Sequence, residues 1–490
     1  MLFSFPPRQE RVFGMRRTVL VSVAVALAVL LLSGVWGSAA REARALTTRP
    51  NIVFILADDM RKDDLRYMPK TRNLLRDKGM SFSNAFVSHA LCCPARATIM
   101  RGQYAHNTGV WTNSGSSGGL QAYRANGLEQ DNVTTRLDVA GYRTGLFGKY
   151  LNGYNAAYVP PGWDRWFATW GDYFRYDVND QGTIKHFGAD ASDYKTDVLR
   201  RETEAFIGTS TAQGKPFFAY VAPKAPHNAD ELGKPVPAPR DRHTYDGLKA
   251  KRPPSFNEKN VSDKPPWIRQ LPILGDAKKA EIDDRHEKRA ESLQAVDDLV
   301  AGVVGKLKDK GVLGNTYIFF TSDNGWQEGE HRLDFGKWRP YEEDVRVPLL
   351  VRGPGVAAGR QTQRLTLNTD YLPTFTHLAG AQRPGYTDGR SLRPVLEGTV
   401  GSWRTAVLLE AARNDVNFPN APAYRGIRES GGAKYVEYAG GKRELYHLGR
   451  DPYELNNRYP ATKPSAGLVS RLQALKTCAA DSCRAAENGQ

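Results

Sequence analysis

Cysteine is scarce: four occur in 490 residues, as the neighbours Cys92 and Cys93 and the spaced pair Cys478 and Cys483. No His or Cys stands near them at zinc-finger spacing, which argues against structural zinc. A disulfide between adjacent cysteines is strained and uncommon, so Cys92–Cys93 is a poor redox pair. In "TCAADSC", Cys478 and Cys483 are close enough to close a small loop, or equally to remain two thiols on a frayed tail. Acidic residues are also short, 53 against 68 Lys and Arg, a formal net charge of +15. Setting aside residues 1–40, with Arg8, Arg11, Arg16 and Arg17 against Glu10, leaves about +12. A basic surface favours anionic partners such as acidic polysaccharide or anionic lipid. The chain lacks an arginine-rich arm and a helix-turn-helix signature, so no nucleic-acid partner is expected. It has no internal repeat, and no apolar run beyond the N-terminus is long enough to span a bilayer.

That one apolar run is "TVLVSVAVALAVLLLSGVWG", preceded by Arg16-Arg17 and followed by Ser38, Ala39 and Ala40. The order positive, apolar, small reads as an export signal, with "SAA" or "ARA" as cleavage candidates and an uncleaved anchor as the alternative. The protein is therefore expected to be secreted or in the cell envelope, with no membrane contact beyond that anchor. The composition is globular, 40% hydrophobic and 25% charged. At this length a large domain with a smaller one is the natural division. The expected boundaries are a signal over 1–45, a catalytic α/β domain over 46–395, and a smaller C-terminal domain over 396–490.

Short apolar runs predict buried strands at Ile52–Leu56, in "PFFAYVAP", at Tyr317–Phe320 and in "VPLLVRGPG". Leu293, Val296, Val300, Val303 and Leu307 form one apolar stripe, predicting a helix that stops near Gly311. Strands alternating with helices argue for an α/β fold, a large and mostly parallel sheet flanked by helices. Residues of about 228–285 are rich in Pro and Lys with little periodicity and read as a surface insertion. After residue 400, "AKYVEYAGGKRELYHL" alternates around Gly440-Gly441, a hairpin signal that predicts an antiparallel sheet. "GLVSRLQALKT" predicts a terminal helix.

Asp58-Asp59 end one predicted strand and Asp323-Asn324 end another. Functional groups gather beyond the carboxyl ends of strands in open α/β sheets. Four oxygen-bearing side chains arriving there suit a hard divalent cation, although acidic pairs also cap helices and form turns. In "CCPARATIM" the proline favours a first helical turn, where backbone N–H groups attract anions and Arg96 adds a fixed charge. Two buried structural thiols are the competing reading. Lys149, His227 and Lys337 each follow an apolar run. Singly each suits a solvated surface; converging with Arg96 and a metal, they would bind a sulfate or phosphate ester.

Taken in order, "NIVFILADD", Cys92-x-Pro94-x-Arg96, "GYRTGLFGKY", "APHNA" and "SDNG" resemble the type I sulfatases of the alkaline phosphatase superfamily. "CCPARATIMRGQYAHNTGV" and "GKYLNGYNAAYVPPGWDRW" are most similar to the N-acetylglucosamine-6-sulfatase and heparan sulfate endosulfatase branch. The resemblance implies that Cys92 is oxidised to formylglycine by a separate formylglycine-generating enzyme and acts as the nucleophile. It implies one calcium ion held by Asp58, Asp59, Asp323, Asn324 and modified Cys92. Arg96 would orient the nucleophile, Lys149, His227 and Lys337 would grip sulfate and assist the leaving group, and His331 and Asn152 would contact substrate. A thiolate attacking sulfur would leave a sulfated thiol that is hard to resolve. A hydrated aldehyde has one hydroxyl to attack and a second to expel sulfate, dividing the reaction into two easier steps. Two positions depart from the common pattern: Ala95 stands where many members have Ser, and Leu151 where many have His. With Leu151 in place, His227 is the expected donor to the leaving alcohol.

The expectation is an exported sulfatase acting on sulfated sugars such as N-acetylglucosamine-6-sulfate. The alternatives are a phosphodiesterase or phosphonate monoester hydrolase on the same scaffold, or a non-catalytic binder of anionic glycan if Cys92 is never converted.

Overall fold

Seven consecutive buried residues, Asn51–Ala57, form β1, the middle of a ten-stranded sheet in the computed structural model. Residues 1–5, 49–412 and 422–489 are described. The expected export signal lies outside them. The chain divides into two units, Met1–Arg49 and Pro50–Gln490, and every element named below lies in the second. No helix among the described residues is long and apolar enough to cross a membrane.

The other strands of the large sheet are β2 (Met80–Phe82), β3 (Arg143–Gly148), β4 (Arg165–Trp170), β5 (Tyr176–Asp180), β6 (Thr183–Phe187), β7 (Phe217–Ala222), β8 (Thr316–Ser322), β9 (Leu349–Arg352) and β10 (Arg360–Thr362). Their order is β10-β2-β9-β8-β1-β7-β3-β4-β5-β6. The five central strands, β8 to β4, run parallel. β9 pairs antiparallel with β8, and β5 antiparallel with β4. The sheet is thus mostly parallel at its centre and mixed at its edges.

Both faces are covered, as continuous apolar strands require. Ile52, Phe54 and Leu56 point into one cluster with Ile99, Leu372 and Phe375; Val53 and Ile55 point into the other with Leu199, Phe206 and Leu293. The first face carries α1 (Cys92–Arg101) and the second α2 (Lys195–Ala212) and α3 (Asp276–Asp309). The predicted stripe is the buried side of α3: Leu293, Val296, Val300, Val303 and Leu307 are all packed in that second cluster. α3 starts seventeen residues earlier than the stripe, so the last ten residues of the expected insertion are helical. Periodicity could not reveal this, because the first turns of α3 rest on polar partners.

A second sheet of β11 (Ala406–Ala411), β12 (Tyr424–Glu429), β13 (Ala433–Tyr438) and β14 (Arg443–His447) is antiparallel throughout. Gly440 and Gly441 turn β13 into β14. Val407, Leu409, Ile427 and Val436 join the apolar cluster on the α1 face, together with Leu472 and Leu475 of α4 (Ala466–Lys476). A disulfide joins Cys478 to Cys483, which settles the two readings of "TCAADSC".

Candidate active site

Strand register brings the expected residues together. Ala57 is level with Ser322 across the β1–β8 pair, and Gly148 with Ala222 across β3–β7. The residues that follow, Asp58, Asp59, Asp323, Asn324, Lys149 and the 223–227 turn, therefore leave the sheet at one edge. Gly148 is required at its place: a Cβ there would lie 2.1 Å from the Ala222 carbonyl oxygen. That close approach lets the Lys149 N–H donate to the same oxygen at 2.9 Å. Asp59 has φ of +65°, a conformation short polar residues tolerate, and its N–H donates to Asp323 Oδ1 at 3.1 Å.

α1 supplies two groups one turn apart. Cys92 opens the helix and Arg96 lies four residues on, the same face. Arg96 Nε donates to Asp323 Oδ2 at 2.8 Å and Nη1 to the Lys149 carbonyl at 3.0 Å, and Nη2 lies 3.6 Å from Asp58 Oδ2. The Cys92 thiol donates to Asp58 Oδ1 at 3.5 Å, and Lys337 Nζ reaches Cys92 Sγ at 2.7 Å. Lys337 also pairs with Asp59. Lys149 Nζ pairs with Asp58 Oδ2 at 2.5 Å. His227 Nδ1 donates to the Asn228 carbonyl at 2.7 Å, which leaves Nε2 facing Asp59 Oδ2 at 3.6 Å. Cys93 is buried in the apolar cluster of α1 and takes no part in this set.

The electrostatics follow from burial against dense charge. Burial alone would raise Asp58, but Lys149, His227, Arg96 and Lys337 hold its carboxyl well below the usual range. Burial, with Asp58 adding to it, pushes Asp323 up to about 6. Burial depresses His227 to about 4 despite the nearby carboxylates, so its imidazole is neutral at neutral pH. Burial opposes the charge of Lys337, yet Asp59 and its neighbours raise its pKa well above the ordinary lysine value. Burial and Asp58 push the Cys92 thiol far up.

A hard cation fits the donors present. Asp59 Oδ2 and Asn324 Oδ1 are buried without a hydrogen-bond partner. Asp58, Asp59, Cys92 and His227 each offer a ligand atom, all within 4.8 Å of one another. The Asp58 and Asp59 carboxylates and the Asn324 amide oxygen are the hard donors that calcium or magnesium takes. Both Asp323 oxygens already accept hydrogen bonds, from Asp59 N–H and Arg96.

Asn152 lines the cavity that also exposes Asp58, Lys149 and His227. His331 does not join it. Its ring is fully buried, tilted against that of Tyr341 with centroids 4.3 Å apart, and its Nδ1 is 2.6 Å from Glu258 Oε2. His331, an expected substrate contact, thus lies outside the lining of this cavity. This histidine fastens the 325–338 loop to the insertion, and its neighbour along the loop, Lys337, reaches the site.

Sequence reasoning missed Arg289. From α3 its Nη2 donates to the Asp59 carbonyl at 2.7 Å and pairs with Asp64 Oδ2 at 2.8 Å, and Nη1 reaches the Pro226 carbonyl at 3.4 Å. It holds the two turns that carry Asp59 and His227. The available signal was an arginine four residues before Leu293, in line with the apolar stripe; in the structure it is fully buried.

Residues 50–381 match the family described as Sulfatase, and residues 329–477 the one described as N-sulphoglucosamine sulphohydrolase, C-terminal. The chain is 32% identical to a human N-acetylglucosamine-6-sulfatase over 515 residues, covering 95% of this chain and 91% of that protein. It is 37% identical to an extracellular sulfatase SULF-1 homolog of Drosophila melanogaster over 375 residues, and it spans 33% of that longer protein. A solved structure in complex with its substrate D-glucosamine-2-N,6-O-disulfate shares the fold, with a TM-score of 0.74 at 23% identity over 90% of this chain and 100% of that one. A phosphonate monoester hydrolase of Agrobacterium radiobacter shares it too, with a TM-score of 0.66 at 23% identity over 89% of this chain and 96% of that one. The fold of this chain is the one these solved structures share. A family match over two thirds of the sequence and 32% identity to a sulfatase along 95% of it show the class: the chain belongs to the sulfatase family and is a sulfuric ester hydrolase.

Proposed function

We propose that the chain is an exported sulfatase that releases sulfate from sulfated sugars such as N-acetylglucosamine-6-sulfate. In this reading Cys92 is converted to formylglycine, and Asp58, Asp59, Asp323 and Asn324 hold one calcium ion. The observation that carries it is the meeting at Cys92 of Lys337, Lys149, Arg96 and His227 from four separate chain segments. Three fixed cations and a histidine around one small buried side chain suit a tetrahedral oxyanion ester.

The hydrated aldehyde would supply the attacking hydroxyl and the second hydroxyl that expels sulfate, and the calcium would supply positive charge against a sulfate oxygen. The chain's own residues do the rest. Arg96 ties the start of α1 to Asp323 and to the Lys149 carbonyl, fixing the direction in which residue 92 projects. Lys337 and Lys149 stand beside residue 92 as donors to sulfate oxygens. His227 keeps Nε2 free because Nδ1 is committed to the Asn228 carbonyl. The negative charge of a bound sulfate favours a proton at Nε2, from which it passes to the leaving sugar oxygen. Relatives named for extracellular action and for N-acetylglucosamine-6-sulfate support export and the substrate class.

The test is made on protein produced with its maturation enzyme. Mass measurement of the peptide spanning Cys92 should show formylglycine, and sulfate esters should be hydrolysed in preference to matched phosphate and phosphonate esters. An unmodified thiol in active material, or turnover of the phosphorus esters alone, overturns the proposal.

A further inference from the structure

Asp283, Glu287 and Glu291 stand four residues apart on α3 and so line one side of it. That side meets the turn of residues 243–250 in the insertion. The Ala250 N–H donates to Asp283 Oδ1 at 3.0 Å, and the Gly247 N–H to Glu287 Oε2 at 2.8 Å. Beside them Tyr245 packs edge-on against Tyr67, with ring centroids 5.3 Å apart. The first two carboxylates thus have backbone partners from the turn, and the third has none.

Glu291 is the deepest of the three, with no exposed surface. Lys288 Nζ donates to its Oε2 at 2.9 Å and to Glu287 Oε1 at 2.6 Å. Glu291 Oε1 is buried and has no hydrogen-bond partner. Leaving such an oxygen unpaired is costly. The turn brings a further carboxylate to it. Asp246, Glu287 and Glu291 each offer a ligand atom, all within 4.8 Å of one another. Asp246 is exposed, with His243 Nδ1 at 3.0 Å from its Oδ1. Three carboxylates therefore converge around the single ammonium of Lys288.

We propose that Asp246, Glu287 and Glu291 form a calcium site that fastens the insertion to α3. The donors are all oxygen, and the exposure of Asp246 admits the waters that complete six to eight ligands. A carboxylate oxygen that accepts one hydrogen bond keeps a second lone pair, so the bonds from Gly247 and Lys288 do not close the site. The ion gives Glu291 Oε1 its missing partner and neutralises the excess carboxylate charge. None of these residues lines the cavity at Cys92, so the site is separate from the one there. Its role is structural. The insertion carries Glu258, the partner of His331, and α3 carries Arg289, which holds the turns of Asp59 and His227.

The test is a count of bound calcium. The full chain is dialysed against calcium up to about 5 mM, above the roughly 10⁻⁴–10⁻³ M of weak sites, and its metal content is measured. Asp246→Ala and Glu291→Gln should each bind one ion fewer per chain than the unaltered protein. Asp246 is exposed, so its variant keeps the fold even where Glu291→Gln does not. The same loss of one ion should appear when Asp246→Ala is added to Asp59→Asn, which acts on the calcium at Cys92 instead. Thermal unfolding of Asp246→Ala should also shift less with calcium than that of the unaltered protein. Unchanged calcium content in Asp246→Ala overturns the site. A single ion that Asp59→Asn loses and Asp246→Ala keeps overturns it too, while the sulfatase reading stands.

Discussion

The floor of the cavity and its wall are built differently. On the floor, Asp58, Asp59, Arg96 and Asp323 are fully buried, and each is engaged by two or more others. The wall includes Trp170, Lys195 and Lys224. There Lys224 has one close carboxylate, Asp172, and a second, Asp230, whose side chain is 75% exposed. Burying opposed charges is costly unless geometry is fixed, and removing one partner leaves the other uncompensated. The floor therefore accepts one charge pattern and resists change, whereas the wall sits in higher dielectric and can alter without collapse. Chemistry common to sulfate esters belongs to the first region and choice of alcohol to the second.

The largest effect should come from the floor. Cys92→Ala should abolish turnover, by about 10⁴-fold or more, with aryl and sugar sulfates lost together. A residual rate that keeps its sugar preference would break the division, because the nucleophile would then lie elsewhere. Lys337→Ala should follow with about 10²- to 10³-fold in kcat, the usual consequence of removing one oxyanion donor. It should leave the ratio between the two substrates unchanged, which steady-state kinetics on both esters measures. Calcium comes next. At about 100 times its dissociation constant, a ligand that binds only the folded state adds about 2.7 kcal/mol. Thermal unfolding of matured protein with calcium and with chelator should separate by several degrees, and Asp59→Asn should shrink that separation. Equal midpoints with and without the ion would remove it from the floor.

How far these regions could be read from the sequence follows the same division. Asp58-Asp59 and Asp323-Asn324 were legible because each ends a short apolar strand, and parallel strands deliver their carboxyl ends to one edge. Cys92 and Arg96 were legible because a proline-led first turn places them on one face. The 325–338 loop was not. It carries both His331 and Lys337, and left-handed residues at His331, Arg332 and Trp338 turn the chain so that one faces the insertion and the other faces Cys92. Alternation and helical period say nothing about such turns. Glu258, the partner of His331, sits in the stretch that composition marked only as Pro- and Lys-rich, so its role needed a contact 73 residues away. The wall was largely invisible: of its side chains only Asn152 had been singled out. Trp170, Lys195 and Lys224 belong to different parts of the chain, and no motif links them.

His89 lets the floor be probed through stability alone. It lies three residues before Cys92, fully buried, with its ring 4.8 Å from that of Trp338. Burial depresses it from 6.5 to about 3, outweighing the attraction of Glu410. Between those values the unfolded chain binds a proton that the folded chain refuses. Stability from this group is therefore complete above pH 6.5 and is lost as pH falls towards 3. From pH 6.5 to 5 the loss should be about 2 kcal/mol, read as a falling denaturation midpoint. His89→Gln should flatten that part of the profile, whereas an equally steep fall would assign it to other groups.

The smallest effect should come from Lys195→Met. The two side chains are of similar length, and burial, with repulsion from Lys224, already depresses the Lys195 ammonium well below an ordinary lysine. The lost hydrogen bonds should lower stability by about 1 kcal/mol. The carbonyls of Trp170 and Gly171 lose their shared donor, and the wall loosens without touching Cys92. Sugar-ester KM should rise about two- to fivefold while kcat on an aryl sulfate holds, since a weakened positioning contact removes binding common to ground and transition states. A fall in kcat on both esters would show that Lys195 supports the floor as well, and the two regions would then be one.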